Sequence, residues 1–424
     1  MMESLFELLD SMKDEAISTL GELVRINTSV PPGKNYPEAV DYMARRLKEV
    51  GFEVEKIPMP RELFENKNPR LSHLEGERVN LSAIKSAGAE KTLLINTHLD
   101  VVPASGNWTV PPFDVTVQDN RIFGRGVSDS KGGIAAMLTM LSAIDEMGIE
   151  PAYNLNIAMT TDEEMGPYSG LCHLADIGKL KADYFLSMDG DSDSITIAAN
   201  GNVDWQVDVY GKSYHSGSSF LGVNAIEKAI PVMRGLMELK GEIEKRRSSV
   251  AASQVIRKKT GIDTLRPVLN ISIIKGGVKQ NIVPDLCTLK GDRRFIPEEK
   301  FEDVCRELND ALTRVREKDP GINMKFVCNE VYTPLLTDID HPWVREVQRA
   351  ANAAAGREVA CAGTHGSLDV AYAVKVTGLP ACCFGTGRNG ESNAHGDDEN
   401  IMVDDLVMYT KFLGRLVCGF NGQP

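Results

Sequence analysis

Residues 92–100 read TLLINTHLD. An apolar run of strand length ends on Thr97 and delivers His98, with Asp100 two residues on. The same grammar recurs. NLNIAMTT (154–161) runs into Asp162, Glu163 and Glu164, and YFLSM (184–188) runs into Asp189. Between these runs lie stretches of helical character, the clearest from Gly132 to Met147. Short buried strands alternating with helices predict a layered α/β domain with a mixed, largely parallel sheet flanked by helices. In such sheets, sites gather beyond the carboxyl ends of the strands. Most of the chemistry-bearing residues fall there.

Working outward, Leu5, Leu8, Leu9 and Met12, then Ile17, Leu20 and Val24, repeat at helical spacing until Pro31, Pro32 and Gly33 interrupt them. A second amphipathic helix is expected from about Pro37, and GFEVEKI (51–57) alternates like a strand. After Gly201 the texture changes. VDWQVDVYG (203–211), VLNISIIKGG (268–277), IVPDLCTLKGDRRF (282–295) and INMKFVCNEV (322–331) read as strands, with helices over 225–239 and 298–315. Strand-helix-strand-strand-helix-strand is the order of a small, ferredoxin-like α+β domain. The expected layout is a catalytic domain (1–201 and 333–424) interrupted by an inserted domain (202–332).

A chain of 424 residues exceeds what one core usually holds. Its formal net charge of −13 repels phosphate backbones and argues against a nucleic-acid partner. No apolar run approaches the ~18 residues needed to cross a membrane. The opening MMESLFELLDSMKDEA carries acids among its apolar residues, unlike a secretory signal, so the cytoplasm is expected. With no CxxC pair, the eight cysteines are expected to be reduced thiols. The basic stretch Lys245 to Lys259 is expected to be a solvated face or loop.

The polar residues form the inventory of a metal centre. His, Asp and Glu mixtures suit an open, reactive site, whereas closed structural zinc sites favour cysteine. His98 and Asp100, at i and i+2 of an extended segment, face one side, so Asp100 is expected to accept a hydrogen bond from the imidazole. Asp129, in GRGVSDSKGG (124–133), sits where a plain helix N-cap would also fit. Glu163 and Glu164 are adjacent and, if extended, point opposite ways. That leaves one for metal and one for a general base. Asp189, Asp191 and Asp193 are equivalent by pattern alone. His395 lies in AHGDDENI (394–401).

In this order, these strings resemble the dinuclear zinc exopeptidase and deacylase family that includes acetylornithine deacetylase, succinyl-diaminopimelate desuccinylase, aminoacylase-1 and carboxypeptidase G. The resemblance spans essentially the whole chain. It implies two Zn2+ ions, replaceable by Co2+ or Mn2+. His98 and Asp189 would hold one ion and Glu164 and His395 the other, with Asp129 bridging. Asp189 is singled out from its neighbours because it stands twelve residues before Gly201, as the family's ligand does. The resemblance makes Glu163 the general base and Asp100 the partner of His98. It makes the inserted segment a lid and dimerisation domain, with His215 of GKSYHSGSSFLGVNAI polarising the scissile carbonyl in the partner's site. Ser219 stands where the family usually has proline. Asn281, Arg294 and Ser367 match positions that contact a substrate carboxylate, for which a guanidinium is well shaped. The implied activity is hydrolysis of an amide in a small carboxylate-bearing substrate, either an N-acyl amino acid or a short peptide. A catalytically silent metal-binding relative is the alternative.

Overall fold

The structure is a computed structural model that describes residues 1–419. The chain divides into two compact units. Among the described residues, one comprises 1–197, 337–362 and 372–419, and the other 198–336 and 363–371.

The first unit is built on a twisted mixed sheet. Strands Asn154–Thr160, Thr92–His98, Tyr184–Ser187 and Ala381–Cys383 lie side by side and parallel. Val79–Lys85 and Glu53–Pro58 extend the Asn154–Thr160 edge antiparallel. Ser194–Ala199 joins the other edge antiparallel. Successive residues of the central strands are buried, so both faces are covered, which is why they read as continuous apolar runs rather than alternating ones. Leu93, Leu94, Ile95, Leu155, Ile157, Phe185 and Leu186 are all fully buried. Helix Gly132–Glu146 packs between the N-terminal helices and the C-terminal helix Val403–Cys418, and it is buried almost all round. The N-terminal helical pattern is split into Met2–Ser11 and Lys13–Arg25 at Met12. A small three-stranded sheet (Asn400–Met402, Arg121–Phe123, Thr116–Gln118) lies apart from the main one.

In the second unit, Gly201–Tyr210 and Leu286–Phe295 are the central strands of a four-stranded antiparallel sheet. Val268–Gly276 and Asn323–Tyr332 form its edges. Helices Ala225–Ile243 and Phe301–Lys318 cover one face around Val203, Val207, Val209, Leu236, Leu289 and Leu308. The basic stretch contains a short helix, Gln254–Thr260. The expectation of eight reduced cysteines fails here. Cys305 and Cys328 form a disulfide that ties helix Phe301–Lys318 to the edge strand. The two positions are 23 residues apart and meet only once helix and strand fold back on each other, so no local spacing announces the pair. The other six cysteines are not disulfide-bonded.

Among the described residues, no helix is long and apolar enough to cross a membrane.

Candidate active site

His98 is the last residue of its strand and is 2% exposed. Its Nδ1 lies 2.9 Å from the main-chain carbonyl of Asp100. A carbonyl only accepts, so Nδ1 carries a proton, and Nε2 is the nitrogen turned toward Asp129. This corrects the expected contact with Asp100, whose carboxylate is 3.7 Å from Nδ1. The Asp100 carboxylate turns instead to the next strand end, accepting from the Glu164 N–H at 3.1 Å. Burial pushes its pKa up to about 7.

Asp129 does not cap a helix. It has extended φ/ψ (−126°, 86°) within a tight turn, Val127–Lys131, that precedes helix Gly132–Glu146. Glycines make that turn feasible: Gly126 has φ +84°, and a Cβ on Gly132 would sit 2.4 Å from the Val127 carbonyl oxygen. The two oxygens of Asp129 face different imidazoles. Oδ1 is 2.9 Å from His98 Nε2, and Oδ2 is 3.0 Å from His395 Nε2.

Glu163 and Glu164 lie in a single 3-10 turn, Glu163–Met165, rather than in an extended stretch. They still diverge. Glu164 Oε2 is 2.9 Å from His395 Nε2, whereas Glu163 groups with His98 and Asp189. Donor atoms of His98, Glu163 and Asp189 lie within 4.8 Å of one another, as do those of His98, Asp129 and Glu164. His98, Asp100, Asp129, Glu163, Glu164, Asp189 and His395 thus all lie in the first unit and form one cluster.

The cluster is electrostatically polarised. Burial disfavours the Asp129 anion, but hydrogen bonds from His395 and His98 hold its pKa well below the usual carboxylate range. Burial works against a charged His98, yet Asp129 raises its pKa above the usual value. Hydrogen bonds to Asp129 and then Glu164 lift His395 to about 10. Carboxylates gathered around the Nε2 atoms of two imidazoles have the donors a divalent cation would take once those nitrogens lose their protons. Glu164 Oε1 supports this, being buried with no hydrogen-bond partner among the described residues.

The remaining sequence-flagged residues lie in the second unit. His215 is exposed, and its Nδ1 accepts from the Gly217 N–H at 3.1 Å. It bridges to Ile282, and the Asn281 carbonyl accepts from the Ser216 N–H at 3.0 Å, so His215 and Asn281 are neighbours. Arg294 donates to Ser367 Oγ at 2.9 Å, and Ser367 donates to the Asn200 carbonyl at 2.7 Å.

Sequence reading missed the groups that brace the cluster. Asp162, φ +66°, is fully buried and accepts from Tyr36 Oη (2.7 Å), Ser169 Oγ (2.7 Å) and Arg78 Nε (3.0 Å). A non-glycine residue held in the left-handed region beside a cluster of this kind is a mark of a functional site. His395 shares the feature, also at φ +66°. Lys131 is buried with its ammonium on the Leu23 and Ile26 carbonyls, each at 2.9 Å. Only the adjacency of Asp162 to the glutamate pair could have drawn attention to it.

A histidine–carboxylate cluster at the carboxyl ends of parallel strands has the donors of a metallohydrolase. Residues 94–418 match the family model described as Peptidase family M20/M25/M40, and the chain belongs to that family. It is 25% identical to the N-formyl-4-amino-5-aminomethyl-2-methylpyrimidine deformylase of Halalkalibacterium halodurans, over 97% of this chain and 96% of the other. It is 29% identical to acetylornithine deacetylase of Salmonella arizonae, over 70% of each chain. A solved tripeptidase from Staphylococcus aureus shares the fold with a TM-score of 0.75 and 19% identity, over 96% and 97% of the two chains. The protein is a metal-dependent hydrolase of amide bonds, of deacylase or peptidase type.

Proposed function

We propose that the chain cleaves the amide of a small carboxylate-bearing substrate, an N-acyl amino acid or a short peptide, with the help of two zinc ions. His98 and Asp189 would hold one ion and Glu164 and His395 the other, with Asp129 available to both. The observation that carries the reading is Asp129, whose two oxygens each face a different histidine Nε2, at 2.9 and 3.0 Å. Cobalt or manganese would fit the same oxygen-rich donors. When bound, such ions lower the pKa of water toward ~7 and polarise a carbonyl.

The chain's own groups do the rest. Glu163 takes the proton from the attacking water and passes it to the leaving amine. Asp100 fixes the His98 tautomer through its carbonyl and, through its carboxylate, the main chain at Glu164. Arg294, Ser367 and Asn281 bind the substrate carboxylate; the Arg294–Ser367 contact supports this by pre-orienting the guanidinium. His215 of the partner subunit stabilises the developing oxyanion. A homodimer is favoured by the strand Val268–Gly276, which lies at an edge of its sheet with Ile273 and Ile274 43% and 53% exposed. We place the chain in the cytoplasm, where the six cysteines outside the disulfide would stay reduced.

The test is a hydrolysis panel of N-acetyl, N-succinyl and N-formyl amino acids, dipeptides and an N-formyl aminomethylpyrimidine, run on zinc-loaded protein. Acyl amino acid or peptide turnover that falls when the substrate carboxylate is esterified supports the reading. Turnover confined to the pyrimidine formamide, which has no carboxylate, overturns the substrate class.

A further inference from the structure

The turn that carries Asp129 has an anchor that the reaction does not consume. Glu399 immediately precedes strand Asn400–Met402, whose Asn400 pairs with Phe123. This register brings Glu399 beneath the turn that follows Phe123, where the Gly124 N–H donates to the Glu399 carbonyl at 3.0 Å. The Glu399 carboxylate, 1% exposed, accepts three main-chain hydrogen bonds: from Gly126 at 2.9 Å, Ser128 at 2.8 Å and Asp129 at 3.1 Å. Arg125 adds a fourth at 2.6 Å. Its other terminal nitrogen donates to the Gly396 carbonyl at 3.0 Å, with those of Pro103 at 3.4 Å and His395 at 3.5 Å.

Four donors leave this carboxylate no free direction for an ion or a substrate. The pair therefore works through its neighbours. One end holds the main chain of Asp129 and the other the carbonyls of Gly396 and, more loosely, His395, so the pair ties together two loops whose side chains would share the second ion.

We propose that Glu399 and Arg125 are positioning residues of the metal centre, locking the Asp129 and His395 loops together so that both side chains are pre-set for one cation. This rests on the two-metal reading above. Groups that orient metal ligands are worth ~10–100-fold in affinity when lost. Glutamine at 399 has the same shape, but its NH2 must face either the guanidinium or main-chain N–H groups, so one donor always meets another donor.

The experiment is calorimetric titration of Zn2+ into metal-free protein, with the Co2+ absorption spectrum as a second readout. In Glu399→Gln we expect the weaker zinc step to lose ~10–100-fold in affinity. The cobalt spectrum changes, and circular dichroism is unchanged. If Glu399→Gln does not fold, Arg125→Lys carries the test. It keeps the positive charge but not the forked reach to the loop carbonyls, so the same step weakens. Unaltered zinc binding and cobalt spectra in a folded variant overturn the inference and leave the two-metal reading intact. A starting protein that takes up no zinc overturns that reading and the inference with it.

Discussion

Replacing Arg78 with methionine would expose how the site is braced. Arg78 Nε lies 3.0 Å from Asp162 Oδ2, and the two side chains are 2% and 0% exposed. Removing one partner of a buried ion pair leaves an uncompensated charge and costs ~3–5 kcal/mol. Tyr36 and Ser169 still donate to the carboxylate at 2.7 Å each. Hydrogen bonds to a charged group are worth ~1.5–3 kcal/mol each, so these two hold the loss near the lower end, about 3 kcal/mol. Methionine fills much of the same space, but it forfeits the cation–π contacts with Tyr36 and Phe64, at 5.5 and 4.9 Å. Adding Asp162→Asn to Arg78→Met should recover part of the loss, because a neutral amide can be satisfied by two hydroxyls. The assay is urea unfolding, with hydrogen exchange of residues 160–169 to assign the effect to the first unit. A loss below ~1 kcal/mol, or a double variant no more stable than Arg78→Met, would refute the claim that this pair braces the Glu163 turn.

Glu163→Gln should keep its metal and lose ~10²–10⁴-fold in turnover; metal loss on elemental analysis would make Glu163 a ligand instead. His215→Ala should lower turnover at unchanged zinc content, and mixing it with Glu163→Gln subunits should restore part of the activity. No recovery in such mixtures would show that His215 does not act across subunits. Ile274→Lys on the exposed edge strand should shift the protein from dimer to monomer in analytical ultracentrifugation, and a persistent dimer would place the interface elsewhere.

Much of the α/β architecture was legible because its central strands are short apolar runs that stop at polar residues, as TLLINT stops before His98. His98, Glu163, Glu164 and Asp189 were legible for the same reason, since strand ends in a parallel sheet open onto one rim, whereas Asp129 and His395 lie in turns and were singled out only by the family resemblance. How each residue makes its contacts was less accessible. The i, i+2 rule puts Asp100 on the correct side of His98 but says nothing of whether the carbonyl or the carboxylate makes the bond, and the carbonyl does. Glu163 and Glu164 diverge as the alternation rule suggested, but from a 3-10 turn created by the left-handed Asp162. Glu399 was invisible because its partners sit about 270 positions earlier in the chain and are main-chain N–H groups, which have no sequence signature. The Cys305–Cys328 disulfide was hidden by the same dependence on tertiary folding.

The proposed chemistry requires that His98, Asp129, Glu164, Asp189 and His395 bind metal as a set. Metal-free protein titrated with Zn2+, with bound zinc counted by elemental analysis after gel filtration, tests this most directly. Two ions per chain, with activity returning as they bind, is the predicted result. A chain that hydrolyses its substrate with no bound metal, or binds zinc only at residues outside this set, would contradict it.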